Sequence, residues 1–169
     1  YLLACFGDPG LEAASELSPV PVIGIAQAAM HMATLAAPSF AIVTSMTSTL
    51  PMSEQLLERY AMRPLCKALL ACDVPVLALS EARTPPAPLL ERCEHARASG
   101  AGSIVLGCAA MGPLRDAIAS EIGLPVVDPL LAGRDLLLTL MRQPAVARAK
   151  QAGEVKPLSG VFARGLAAL

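Results

Sequence analysis

Short apolar runs alternate with amphipathic stretches along most of the chain. Tyr1 to Cys5 (YLLAC), Val20 to Ile25 (VPVIGI), Phe40 to Ser45 (FAIVTS), Val74 to Leu79 (VPVLAL), Ser103 to Gly107 (SIVLG) and Leu124 to Val127 (LPVV) have strand length and few polar interruptions. Such runs suit strands covered on both faces. The stretches between them carry helix signals. In Asp8 to Leu17, Asp8 is placed to cap, Pro9 suits the first turn, and Leu11, Ala14 and Leu17 share a face. Ala26 to Ala37 is a helix of small residues that offers Met30 and Leu35 to a core. Pro51 to Met62 is a helix with its charges on one side.

Further along, Pro64 to Cys72 reads as a short helix. Thr84 to Pro88 (TPPAP) is a loop leading into a helix from Leu89 to Ser99, which Gly100 and Gly102 stop. Pro113 to Ile122 and Leu130 to Met141 are the last two predicted helices, and Gln143 to Leu169 has only scattered apolar residues. Strands and helices alternating at this spacing predict an α/β fold with parallel sheets. A faint repeat runs through it. LLACFGDPGL leading to VPVIGI and IVLGCAAMGPL leading to LPVVD share the order strand, cysteine, small residues, helix, strand. The repeat predicts two pseudo-equivalent lobes, each contributing one thiol to a cleft between them.

Composition narrows the function classes. A chain of 169 residues forms one domain or two small lobes, and 54% apolar residues with 16% charged suit strands buried on both faces. Thirteen basic against fourteen acidic side chains, a net charge of −1, argue against nucleic acid or an anionic membrane as partner and for a small-molecule ligand. No apolar run reaches the length of a membrane span. The five cysteines are odd in number and show no CxxC spacing, so they are expected as reduced thiols in a cytoplasmic enzyme. Tyr1 opens directly into a strand without an initiator Met, which reads as a chain lacking its natural beginning.

The candidate chemistry follows from the repeat. Cys5 and Cys108 each end a strand and precede small residues and a helix, the position at which open α/β sheets bind ligands. Helix N-termini and free backbone amides lower a thiol pKa and stabilise a developing oxyanion. Two thiols facing each other across one cleft can remove a proton from one face of a substrate carbon and return one to the other. The competing reading of any single cysteine in an apolar run is a small buried hydrophobe; the paired context favours catalysis. Thr44, Ser45, Thr47, Ser48 and Thr49 form a hydroxyl cluster after a strand, and their alternative role is to cap the helix near Pro51.

Cys66, Cys72 and Cys93 fall in or at the ends of predicted helical segments and are expected to be packing residues. His31 and His95 pair neither with each other nor with a carboxylate, which argues against a Cys-His hydrolase and a zinc site. Met30, Met32 and Met111 are expected in the core or the cleft wall. Asp128, before Pro129, is placed to cap the last helix.

Taken together, LACFGDPGL, PVIGIAQAAM, FAIVTSMTSTLP, IVLGCAAMGPL and LPVVDPL resemble the aspartate/glutamate racemase superfamily, with the hydantoin racemases as the nearest branch and allantoin racemases next. The resemblance implies two similar α/β lobes, an active site between them, and two-base racemisation with no cofactor and no metal. Carried over, Cys5 and Cys108 match its catalytic cysteines. Phe6, Gly7 and Asp8 match the loop after the first, Gly107 and Ala109 flank the second, and the resemblance implies that all five bind substrate. Thr44 and Ser45, then Thr49, fall where the family places substrate contacts.

The family's opening strand, its loop carrying Asn, Pro and Thr and the unit that follows have no counterpart here. That departure implies an incomplete first lobe, residues 1–38 with 128–169, beside a second lobe of residues 39–127, and puts the activity of the chain as given in doubt. The implied substrate is a 5-substituted hydantoin, with allantoin or an acidic amino acid as alternatives, although no Arg lies near either cysteine motif to suit a second carboxylate. The implied assembly is a homo-oligomer. A rival of another class is a binding protein that keeps the cleft without turnover.

Overall fold

The computed structural model describes residues 1–143. Its elements are β1 (Leu2–Leu3), α1 (Leu11–Leu17), β2 (Ile23–Gly24), α2 (Ile25–Ala36), β3 (Phe40–Thr44), α3 (Leu50–Arg59), β4 (Cys66–Ala71), α4 (Val76–Glu81), α5 (Ala87–Ala98), β5 (Ser103–Leu106), α6 (Arg115–Ile122), β6 (Val126–Val127) and α7 (Pro129–Met141). The expected tail from Gln143 onward lies, beyond that first residue, outside the described part.

Among the described residues all strand pairs are parallel. β1 pairs with β2, and a four-stranded sheet has the order β4-β3-β5-β6. Both copies of the strand-cysteine-helix-strand repeat therefore close as adjacent parallel pairs, β1 with β2 and β5 with β6. This is the α/β class with parallel sheets that the alternating pattern predicts.

The four-stranded sheet is covered on both faces, because alternate residues of each strand point to opposite sides. Phe40 and Ile42 of β3 and Val105 of β5 meet α2, α3 and α7 on one face. Ala41, Val43, Ile104 and Leu106 meet α4, α5 and α6 on the other. Helix α2 packs on α7 and also on β5, and α7 touches both strands of the small sheet. Small residues make that contact possible: Ala26, Ala28, Ala29 and Ala33 of α2 are buried, and a side chain at Gly133 of α7 would collide with Leu2.

The structure departs from several sequence expectations. Pro64 to Cys72 is no helix: a short 3-10 turn at Arg63–Leu65 leads into strand β4, which pairs with β3 along its length. Ala, Leu and Lys favour a helix locally, but the open edge of β3 offers a complete ladder, and tertiary pairing overrides propensity. Cys66 and Cys72 therefore begin and follow a strand rather than lying in a helix, though both are buried as expected.

Val74 to Leu79, expected as a strand, instead enters helix α4 at Val76. Pro75 explains the change, since it has no N–H for a ladder and its φ of −56° suits the residue before a first helical turn. Leu35 points to solvent, 80% exposed, while Met30 on the same helix is fully buried. Asp8 does not cap α1. Gly10 holds that position, and the Asp8 carboxylate turns to the start of α2.

Candidate active site

Chain order places a switch point in the four-stranded sheet. From β3 the chain moves outward to β4, and from β5 it moves outward the other way to β6. The carboxyl ends of β3 and β5 thus border the crevice at which sheets of this kind bind ligands. Thr44 and Ser45 leave one strand there, and Gly107 and Cys108 leave the other.

These ends are drawn tightly together. The Gly107 N–H donates to the Val43 carbonyl at 2.8 Å. A Cβ on Gly107 would lie 2.8 Å from Thr44 Cβ and 2.9 Å from Thr44 Cα, so only glycine fits this approach. The Thr44 side chain is buried, with its hydroxyl 3.3 Å from the Gly107 carbonyl and 2.8 Å from the Thr49 hydroxyl. Thr49 in turn donates to the Met46 carbonyl at 2.7 Å. The two threonines thus spend their protons inside the protein. Among the described residues the Ser45 hydroxyl has no hydrogen-bond partner, although the residue is only 3% exposed.

Cys108 caps the 3-10 turn Ala109–Leu114 with extended backbone, φ −153° and ψ 135°. Its carbonyl accepts from the Met111 N–H at 3.1 Å, and the residue is half-buried. Ala109 follows it, half-exposed in the same turn, while Met111 is fully buried in the core.

Cys5 follows β1 and is exposed. The loop after it is anchored at each residue. Phe6 is 5% exposed and packs in the core with α2 and β3. Gly7 lies against Met52 in the first turn of α3, where a side chain would strike the thioether. Asp8 is fully buried, and its carboxylate accepts from the N–H groups of Ala26 and Gln27 and from the Tyr60 hydroxyl. The start of α3 thus joins the two halves of the candidate site. It touches the Cys5 loop through Met52, and it follows directly on Thr49, which bonds to Thr44 beside Gly107.

The remaining thiols differ in kind. Cys66, Cys72 and Cys93 are buried, and burial raises the pKa of each, for Cys93 to about 12. They are poor nucleophiles and poor bases at neutral pH. His31 and His95 are exposed on α2 and α5, against the Gln27 carbonyl and Arg92. Asp128 caps α7, accepting from the Leu130 and Leu131 N–H groups at 2.8 and 3.3 Å. Among the described residues no group of three or more His, Cys, Asp or Glu is arranged to hold a metal ion.

Asp73 and Tyr60 have no distinguishing mark in the sequence. Asp73, at φ 52° just past β4, accepts from the Thr47 N–H at 2.7 Å and its hydroxyl at 2.9 Å, and so ties down the loop that carries the hydroxyl cluster. These bonds from Thr47 hold the Asp73 carboxyl below its ordinary pKa. A depressed folded-state pKa contributes stability that is present above the unfolded value, near 3.8, and is lost as pH falls through the folded one. Asp73→Asn should therefore flatten the acid limb of the stability curve below about pH 4. Urea midpoints measured from pH 6 down to pH 2.5 test this; parallel wild-type and variant curves would show that the pairing carries no stability.

A family model described as Asp/Glu/Hydantoin racemase matches residues 1–137. The chain is 42% identical over 134 residues to a hydantoin racemase of Rhizobium meliloti, a match covering 78% of this chain and 56% of the relative. It is 35% identical over 134 residues to one of Paenarthrobacter aurescens, covering 78% and 57%. The chain thus spans a little over half the length of the curated relatives it matches.

Among solved structures, the allantoin racemase of Klebsiella pneumoniae superposes with a TM-score of 0.80 at 40% identity, covering 95% of this chain and 68% of that one. A glutamate racemase of Francisella tularensis, at 16% identity, a TM-score of 0.61 and coverage of 86% and 57%, shares the fold.

Proposed function

Because the chain belongs to the Asp/Glu/hydantoin racemase family, we propose that it racemises a 5-substituted hydantoin by moving a proton at C5 between Cys5 and Cys108. The observation that carries this reading is the contrast among the five thiols. Three are buried with raised pKa values, while Cys5 and Cys108 reach solvent, each just after a strand of a parallel pair.

The chemistry is balanced without a cofactor. One cysteine, as thiolate, takes the C5 proton, and the electron pair left behind is delocalised into the adjacent ring carbonyl as an enolate. The other cysteine, as thiol, gives its proton to the opposite face of C5. The product has inverted configuration, the two sulfurs have exchanged protonation states, and proton exchange with water restores the starting state. In this reading, backbone amides of the turn after Cys108 and the Ser45 hydroxyl stabilise the enolate oxygen. Thr44, Thr49 and Gly107 shape that side of the crevice, Ala109 lies beside Cys108, and Phe6 and Gly7 anchor the Cys5 loop against the core and Met52.

A hydantoin ring suits two neutral-pH thiols, since its carbonyl and imide already acidify C5, whereas a free amino acid needs more help. The similarity to hydantoin and allantoin racemases favours the same substrate class, allantoin being itself a hydantoin with a ureido group at C5. The reading includes a cytoplasmic setting that keeps the thiols reduced, self-association of the chain, and two lobes in which residues 1–38 join the segment from 128 onward and residues 39–127 form the other. Contacts of α7 with β1 and β2 support that lobe pairing.

The direct test follows optical rotation of pure enantiomers of a 5-alkyl hydantoin, allantoin and aspartate with the natural protein. Racemisation fastest with a hydantoin supports the proposal. Racemisation of aspartate alone would redirect it to acidic amino acids, and binding without turnover of any of the three would favour a ligand-binding protein.

A further inference from the structure

Helix α2 is capped from far away. Its N-cap residue, Gly24, has no side chain, and the oxygens that receive its first N–H groups belong to Asp8. Asp8 Oδ1 accepts from Ala26 N at 3.1 Å, and Oδ2 accepts from Gln27 N at 2.8 Å and from the Tyr60 hydroxyl at 2.7 Å. Any side chain on Gly24 would collide with that carboxylate. Helix α7 shows the ordinary arrangement in the same chain, with its own N-cap Asp128 supplying the oxygen.

If stability of α2 were all that mattered, Ser or Asn at position 24 would suffice. The imported carboxylate instead costs burial of a charge and a left-handed backbone, φ 43°, at Asp8. What it gains is a rigid connection to Cys5. The Asp8 N–H donates to the Cys5 carbonyl at 3.0 Å, closing the turn Cys5 to Asp8, and the Asp8 carbonyl accepts from Leu11 N at 3.3 Å. Asp8 is therefore the joint at which the thiol loop, the N-terminus of α2 and the end of α3 meet. Tyr60 remains a neutral donor there, because burial and the adjacent Asp8 raise its pKa.

We propose that Asp8, held by Ala26, Gln27 and Tyr60, is the positioning residue of Cys5, fixing the turn that aims this exposed thiol. The inference rests on the proposed racemase reading for its purpose, but the geometry it invokes is independent of substrate. Proton transfer requires the sulfur within about 3–3.5 Å of the reacting carbon. A thiol on an exposed loop needs its backbone held to meet that requirement.

Asp8→Asn and Tyr60→Phe test the proposal in two readouts. The first is alkylation by iodoacetamide, with each cysteine followed by peptide mapping. Asp8→Asn should shift the Cys5 rate by roughly tenfold, the scale of one lost charge-assisted hydrogen bond, and leave Cys108 unchanged. Tyr60→Phe should shift it in the same direction by less. Cys66, Cys72 and Cys93 should stay unreactive, which reports an intact fold.

The second readout is turnover in D₂O. Each variant should raise exchange without inversion for one enantiomer only, the one deprotonated by Cys108, because its carbanion then meets a displaced Cys5. A residue that only stabilised the fold would slow both enantiomers alike. Unchanged Cys5 alkylation in both folded variants, or equal changes at Cys5 and Cys108, overturns the proposal. If Asp8→Asn fails to fold, Tyr60→Phe decides alone. If the wild type racemises nothing, the functional reading fails, while the alkylation ratio still decides the role of Asp8.

Discussion

Replacing either Cys5 or Cys108 by serine should abolish inversion at C5 while leaving the fold unchanged. A serine hydroxyl is far too weak an acid to exist as an alkoxide at neutral pH, so the changed side can no longer serve as base, and general acid–base groups of this kind are worth about 10²–10⁴-fold each. Racemisation needs both sides, and the loss should therefore be similar for the two variants. Cys5→Ser should change stability by no more than about 0.5 kcal/mol, the usual range for surface positions, because Cys5 is exposed; Cys108 is half-buried against the core, where serine keeps nearly the same size and shape.

The finer expectation concerns exchange. With Cys5 replaced, Cys108 can still take a proton from its own face and return deuterium to that face, so one enantiomer exchanges C5–H with D₂O without inverting. With Cys108 replaced, the other enantiomer does so. Optical rotation and NMR integration of C5–H on the same samples measure both. Racemisation persisting in either serine variant would remove that cysteine from the proposed mechanism.

Phe40→Ala should destabilise the fold by about 3–5 kcal/mol, the scale for truncating a fully buried aromatic side chain. Phe40 is fully buried where β3 begins, and β3 pairs with β4 on one side and β5 on the other. Its ring fills the space beneath α2 and α3, and neither strand neighbour can move in to close the void without breaking a ladder. Domains of this size have about 5–15 kcal/mol of stability in all, so the urea midpoint should fall by more than about 1 M. Leu35→Ala is the matched control: Leu35 is 80% exposed, and its loss should be near zero. Similar midpoints for the two variants would mean that β3 is not the centre of the core.

The α/β class with parallel strands, the two strand-cysteine units and the candidate thiols are legible from local pattern alone. Residues 40–43 of β3 and 104–106 of β5 are apolar throughout, and such runs have no stable place except inside a sheet covered on both faces. The repeat is legible because a parallel strand pair needs a crossover, and a short helix between two apolar runs is its simplest form.

Pro64 to Leu79 is illegible for the opposite reason. Its residues favour either state weakly, and the choice belongs to the free edge of β3, which takes Cys66–Ala71 as a strand, and to Pro75, which turns the next residues into a helix. The same limit applies to Asp8. Beside Pro9 it has every local mark of a cap for the helix that follows, yet its carboxylate serves α2, eighteen residues further on, because Gly24 leaves room for it and Tyr60 closes over it.

Local pattern thus identifies which segments must be buried and which thiols end them, since burial and strand length are properties of a few adjacent residues. Which hydroxyls turn inward, which carboxylate holds the Cys5 loop, and which of five cysteines stay exposed depend on partners distant along the chain. Those partners meet only once β3 and β5 lie side by side and α2 and α3 have packed across them.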